Sequence, residues 1–443
     1  MQTLSRVSRR AFLRRLTATG LAAPFVARGW MAVSPNGKLR HASFGATGMA
    51  WADVNEIARH ASVTVVAAAD VDLTRTAEFK QKFPEARIYQ DWRELLAKET
   101  DLDTVNVSTP DHMHAPIAMS ALQRGKHVNG QKPLTHDVYE SRRLTEVARE
   151  KKRVTQMGIQ IHSAREYRMA VRLIQDLAIG KVKEVHTWSS KEWGDTGAMP
   201  DRTDPVPSGL DWDGWVGVCA ARPFIGKGWY HPGNWRKRLD FGTGTFGDMG
   251  CHIYDPVFKA LALTAPVSVR SEGPAPNAHS WAVDAVIPYV FPGTPYTEGK
   301  LVKVTWYDGK ARPPKAVRDL LGTTPFPDQG SIFIGTDGVM LLPHIGMPAL
   351  LPEDKFENHP LPQITGENHW HQWVDACLGK GTPSASFDYA GPLTEAVLLG
   401  SVATRFPNTT LEWDAAAVKF TNVPAANPHV RRTYRPGWEV AGL

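Results

Sequence analysis

The chain of 443 residues carries 51 Lys+Arg against 45 Asp+Glu, a formal net charge of +6, yet residues 1–30 hold six arginines (Arg6, Arg9, Arg10, Arg14, Arg15, Arg28) and no acid. Residues 31–443 therefore balance at 45 basic and 45 acidic, without the basic surplus that a nucleic-acid partner requires. A hydrophobic content of 42% with 22% charge excludes a disordered chain, three scattered cysteines (Cys219, Cys251, Cys377) give no basis for a disulfide framework, and no apolar run reaches the roughly 18 residues of a membrane span.

Ser8-Arg9-Arg10-Ala11-Phe12-Leu13 precedes a short, moderately apolar stretch from Leu16 to Val26, with small residues at Ala22, Ala23 and Ala27. A basic start, a short apolar core and a small-residue exit describe a secretory signal, and the paired arginines resemble the twin-arginine type. Residues 1–33 are expected to be such a leader, which exports proteins already folded and places this one in the periplasm or otherwise outside the cytoplasm.

Residues 38–156 alternate strand and helix patterns. Leu39–Gly45 is a short apolar-leaning run closed by glycine, and a helical pattern follows through His60. Val63–Ala69 is nearly continuous in apolar residues, as a strand buried on both faces requires. Leu73–Phe83 and Trp92–Ala97 read helical, Thr104–Ser108 strand, Ala115–Arg124 helix, His127–Asn129 strand, Val138–Glu150 helix and Val154–Gln156 strand. Such alternation with short connections predicts an α/β domain with a doubly wound parallel sheet, which binds its ligand at the carboxyl ends of the strands. The first turn, Gly45-Ala46-Thr47-Gly48-Met49-Ala50, is a partial dinucleotide fingerprint: Thr47 stands where a second glycine is expected and Ala50 at the third site. Asp70, ending the second strand, suits a ribose 2′-hydroxyl and repels a 2′-phosphate, which favours NAD over NADP. After strand four come Thr109-Pro110-Asp111-His112-x-His114, and after strand five Gln131-Lys132-Pro133, so both stretches face one crevice.

From residue 157 the pattern changes. Ala170–Ile179 reads as a helix stopped by Gly180, Lys183–Ser189 as a strand, and Ser331–Val339 as strand, turn, strand. Between them lie Tyr230-His231-Pro232-Gly233-Asn234-Trp235-Arg236 and Gly247-Asp248-Met249-Gly250-Cys251-His252, the latter opening a helical stretch to Ala262. Asp248 and His252 stand at i and i+4, on one helix face, where an Asp–His pair can position a hydroxyl and take its proton. His369-x-His371 opens an apparent helix, where i and i+2 diverge, so no metal is expected.

Together these strings resemble the Gfo/Idh/MocA family of oxidoreductases, whose E-K-P signature appears here as Gln131-Lys132-Pro133. The resemblance implies an N-terminal Rossmann domain (38–156) and a substrate-binding and oligomerising domain (157–443) with a large, open, mostly antiparallel sheet. It implies Lys132, Asp248 and His252 as catalytic, and Gly45, Ala46, Thr47, Gly48, Met49, Asp70, Thr109, Pro110, Asp111, His114, Gln131 and Lys132 as the NAD site. His162, Tyr230, His231, Asn234, Trp235 and Arg236 are expected substrate contacts. The expected activity is NAD(P)-dependent oxidation or reduction at a carbinol of a sugar, glycoside or polyol, in a homodimer or homotetramer. Two readings compete with it: a redox-neutral glycoside hydrolase or lyase working through a transient keto-sugar, and a non-catalytic sugar-binding protein. An exported chain cannot draw on free dinucleotide, so a tightly held cofactor is expected.

Overall fold

A computed structural model describes residues 37–443, so the expected leader at 1–33 lies outside the described residues. Six parallel strands, β1 (Leu39–Phe44), β2 (Val63–Ala69), β3 (Arg87–Tyr89), β4 (Thr104–Val107), β5 (His127–Gly130) and β6 (Thr155–Met157), form one sheet in the order 3-2-1-4-5-6. The order reverses between β1 and β4, which opens the crevice where α/β sheets hold ligands. Helices α1 (Met49–Ala58), α2 (His114–Gln123) and α3 (Val138–Glu150) cross over between strands. The apolar run of β2 is buried through its second half, and α3 starts on a capping box in which Asp137 and Glu140 each satisfy the other's backbone amide.

Two expectations change in this domain. Leu73–Phe83 is not one helix: Asp72 caps a single 3-10 turn at Leu73–Arg75, Thr76 Oγ1 closes it on the Leu73 carbonyl, and a separate helix runs over Ala77–Lys82. Strand β3 had no counterpart in the sequence pattern, because three residues at a sheet edge leave no periodicity.

The second sheet has nine strands: β7 (Val182–Ser189), β8 (Ser268–Arg270), β9 (Val286–Pro292), β10 (Leu301–Asp308), β11 (Gln329–Gly335), β12 (Val339–Pro343), β13 (Ala349–Leu351), β14 (Thr410–Asp414) and β15 (Lys419–Phe420). Their order is 13-12-11-7-10-9-8-14-15, and apart from the parallel neighbours β7 and β10 the pairs are antiparallel. Helix α4 (Arg165–Gln175) precedes it, starting and ending earlier than the sequence suggested, since Leu177 and Gly180 both adopt positive φ. Helix α5 (Gly244–Ile253) is buried at every residue, and α6 (His369–Cys377) packs on α1 of the first domain. Helix α7 (Phe387–Ala403) lies against both α3 and α5, so one apolar core runs through both sheets.

Residues 430–438 double back on the first domain. The Arg432 amide donates to Asp137 Oδ2 at 3.1 Å, while Arg435 donates from Nε to the Gly217 carbonyl and from Nη1 to Asp213, each at 2.6 Å. The Trp438 ring lies 4.1 Å under the Arg93 guanidinium. The three cysteines are free and buried, and no helix among the described residues is long and apolar enough to cross a membrane.

Candidate active site

The carboxyl ends of β1, β2, β4 and β5 open onto a cleft of about 240 Å³. From the first domain it is lined by Gly45, Thr47, Gly48, Met49, Asp70, Thr109, Pro110, Asp111, His114, Gln131 and Lys132; from the second, by Trp215, His231, Trp235 and Arg236 among others. Gly45 sits at φ +101°, and a Cβ there would come within 2.9 Å of the Ser108 carbonyl, so the turn between β1 and α1 admits nothing larger. Gly48 caps α1, and Gly48 and Met49 line the cleft, so the helix N-terminus borders it, where an anion is favoured. Asp70 accepts the Ala46 amide at 2.9 Å and the Asp72 amide at 3.0 Å. Burial raises its pKa, and those two amides together with the nearby Arg75 pull it partly back. Ala46 itself is buried and acts through its backbone.

A dinucleotide fits this half of the cleft. Thr109 Oγ1 is buried there without a hydrogen-bond partner among the described residues, a hydroxyl that a ligand group would satisfy. Thr47 is half-buried at the wall, where the family pattern has a glycine.

Gln131 is held from below. Its Nε2 donates to both oxygens of Asp53, at 3.2 and 3.0 Å, and its Oε1 accepts the Lys132 amide at 3.2 Å. Asp53 also accepts from Ser108 Oγ at 2.7 Å and Trp370 Nε1 at 3.0 Å. Burial raises the Asp53 pKa, and these uncharged donors only partly offset it. A glutamate at 131 would face this carboxylate, so Gln131 is the residue that matches Asp53. Sequence reasoning missed Asp53, although Ala50, Asp53, Val54 and Ile57 form the buried stripe of α1 and an acid on such a stripe is a signal.

Lys132 Nζ donates to Asp248 Oδ1 at 2.5 Å and to the Asp248 carbonyl at 3.0 Å. Arg236 Nε approaches the same Oδ1 at 3.4 Å. Burial would raise the Asp248 pKa, but the Lys132 ammonium and Arg236 guanidinium more than offset it and hold the carboxyl well below its usual range. His252, one turn along α5, is also buried; burial and then Lys132 push its imidazole well below its usual pKa, so it is neutral at neutral pH. Its Nδ1 has no hydrogen-bond partner among the described residues. It faces a separate small cavity beside His344, with ring centroids 5.6 Å apart, rather than the main cleft.

The expected substrate contacts divide. Trp235 and Arg236 line the cleft, and so does His231, whose Nε2 lies 2.9 Å from Asp72 Oδ2 across the two domains. Tyr230 does not: it packs among Trp212, Trp215 and Phe241 at ring distances of 5.4, 6.0 and 5.3 Å. Asn234 donates to the Gly228 carbonyl at 2.7 Å and braces its own loop. His162 is buried beneath the site, 2.9 Å from Asp255, which also accepts from Tyr167 and Tyr389. His114 lines the cleft with its Nδ1 2.7 Å from the Pro133 carbonyl and its Nε2 2.7 Å from the Thr109 carbonyl, so its ring bridges the two crevice loops. Asp111 accepts from Thr243 at 2.7 Å. His369 and His371 diverge as helical spacing requires, one to Ser163 and the Met157 carbonyl, the other to the Glu56 carbonyl. No cluster of three or more His, Cys, Asp or Glu suited to a metal occurs among the described residues.

Comparison with known proteins agrees with this geometry. Residues 39–159 match the profile of an oxidoreductase family with an NAD-binding Rossmann fold, and residues 177–298 match the same family's C-terminal alpha/beta domain. Levoglucosan dehydrogenase of Pseudarthrobacter phenanthrenivorans is 24% identical over 43% of this chain and 40% of its own length. An alpha-N-acetylgalactosaminidase of Shewanella oneidensis is 30% identical over 26% of this chain and 27% of its own length, so the chain spans less than half of either relative. Among solved structures, the WlbA dehydrogenase of Bordetella pertussis, in complex with NADH and UDP-GlcNAcA, superposes with a TM-score of 0.60 at 13% identity, covering 85% of this chain and 99% of that one. That likeness is one of fold.

Proposed function

The chain belongs to the Gfo/Idh/MocA oxidoreductase family, and from that premise we propose that it is an NAD-dependent enzyme acting on a carbinol of a sugar, glycoside or polyol. One observation carries the reading: Lys132 Nζ, ion-paired to Asp248, stands in the same cleft as the glycine turn and Asp70. Gly45, Thr47, Gly48, Met49, Asp70 and Thr109 would hold the dinucleotide, with Asp70 on the ribose 2′-hydroxyl favouring NAD over NADP. The nicotinamide supplies hydride exchange at the carbinol carbon. Lys132 has three N–H groups and commits two to Asp248, which leaves one directed at a substrate oxygen. As the neutral amine it takes the hydroxyl proton in oxidation, and as the ammonium it gives that proton back in reduction, with Asp248 stabilising the charged form. Gln131 and Asp53 fix the backbone that carries it.

The test is cofactor content. Purified protein is expected to release about one NAD(H) per chain on denaturation. Release of none, with no NAD binding by calorimetry, overturns the proposal. A redox-neutral, glycoside-cleaving cycle is the second reading, supported by the similarity to an alpha-N-acetylgalactosaminidase. Glycoside cleavage without net NADH change would select it. Export as a folded protein through residues 1–33 is a matching proposal; cell fractionation should find the protein outside the cytoplasm and shortened at its N-terminus.

A further inference from the structure

We propose that the substrate carries a carboxylate as well as hydroxyls, and that Arg236 binds it; this deepens, and rests on, the sugar-oxidoreductase reading. Arg236 sits on the 3-10 turn Asn234–Lys237, with its guanidinium 4.3 Å from the Trp235 ring centre and 5.6 Å from that of Trp193. Those indoles hold the fork in place, so little entropy is lost when a ligand engages it. Among the described residues its side chain makes one hydrogen bond, the long contact from Nε to Asp248 Oδ1, an oxygen that Lys132 already occupies at 2.5 Å. The two terminal nitrogens make no hydrogen bond among the described residues, although Arg236 lines the cleft. A cationic fork left free beside the reacting lysine matches a planar carboxylate, which takes two parallel N–H donors.

The charges around it point the same way. At this end of the cleft stand Lys132 and Arg236. Asp248 answers them but is spent on Lys132. The other acid, Asp111, is buried and accepts from Thr243; Arg236 acts on it through space and makes no hydrogen bond to it among the described residues. Asp70, Arg75 and the His231–Asp72 pair belong to the cofactor end. Uncharged hydroxyls would leave the terminal nitrogens of Arg236 without an anionic partner, whereas the carboxylate of a uronate or aldonate supplies one.

Calorimetry on the NADH-loaded protein tests this with four probes: methyl β-glucuronide and gluconate against methyl β-glucoside and sorbitol. The charged probes should bind at least about tenfold more tightly than their uncharged partners. Arg236→Gln should bring that ratio near unity, and Arg236→Lys, which keeps the charge and loses the fork, should recover part of it; a cooperative melt shows that each variant folds. Equal binding of charged and uncharged probes, or a ratio unmoved by Arg236→Gln, overturns the proposal and leaves Arg236 as a brace for Asp248. If NADH binds but none of the four probes does, the carboxylate proposal and the sugar reading both fall. If NADH itself does not bind, the oxidoreductase reading is what has failed.

Discussion

Two buried carboxylates support the Gln131–Lys132 pair, Asp53 against Gln131 and Asp248 against Lys132, and their surroundings make them different groups. Asp53, beneath the crevice, is fully buried and touches uncharged donors: a serine, an indole and an amide. Asp248, from the second domain, is 8% exposed and sits between an ammonium and a guanidinium. Burial dominates the first and raises its pKa; neighbouring cations dominate the second and lower it. One acid is a fixed acceptor that organises a turn. The other is a charge partner for the group that moves a proton. Residue type and depth are nearly the same, so the donors assign the role.

Removing the ammonium that Asp248 has and Asp53 lacks breaks the comparison most severely. Lys132→Ala should cut turnover by about 10²- to 10⁴-fold while NAD binding by calorimetry persists. It should also cost about 3–5 kcal/mol of stability, because Asp248 keeps a buried charge. Next, Gln131→Glu sets two carboxylates face to face and should cost about 3 kcal/mol in urea unfolding. Adding Asp53→Asn should restore most of that, because a donor again meets an acceptor; a double variant no more stable than Gln131→Glu alone would show that the pairing is incidental.

The two acids should also respond oppositely to pH. Asp248 has a folded pKa below the 3.8 of a free aspartate, so the stability it adds over Asp248→Asn is complete above that pH and is lost as pH falls through the folded value. Asp53 has a folded pKa above 3.8, so the advantage of wild type over Asp53→Asn should shrink as pH rises from there, by about 1.4 kcal/mol for each pH step of one until the folded value is passed. Parallel curves from denaturant titrations at several pH values would contradict the contrast. The smallest effect belongs to Trp370→Phe, which removes one of the donors to Asp53 and should cost about 1–2 kcal/mol without altering the Lys132–Asp248 pair.

The first-domain half of the site was legible in the sequence because its order is local. A strand buried on both faces must read as a continuous apolar run, and a glycine turn or a lysine after a strand falls at a predictable end of the sheet. What stayed hidden there was Asp53, whose partners come from β4, β5 and α6 and are remote in the chain. The second-domain half was legible only as strings. Tyr230, Asn234, Trp235 and Arg236 stand within one short segment, yet Tyr230 packs into an aromatic stack and Asn234 braces a turn while the other two reach the cleft. A loop has no period to say which side chains face inward; neighbours far along the chain decide that. His252 shows the same limit: helical spacing put it on the face of Asp248, but its ring lies beside His344 and lines a different cavity.

The returning segment at 430–438 has a consequence in time. Gly214 and Trp215 form part of the cleft wall, and Arg435 grips that wall through Asp213 and Gly217, which lie 222 and 218 positions earlier. At about 5–20 residues per second of synthesis, the wall leaves the ribosome roughly 10–45 seconds before its buttress. Through that interval the crevice of the first domain exists without its opposite face braced. Ligand capture therefore belongs after translation has passed residue 435, and a ribosome stalled before that point would display a crevice open to exchange.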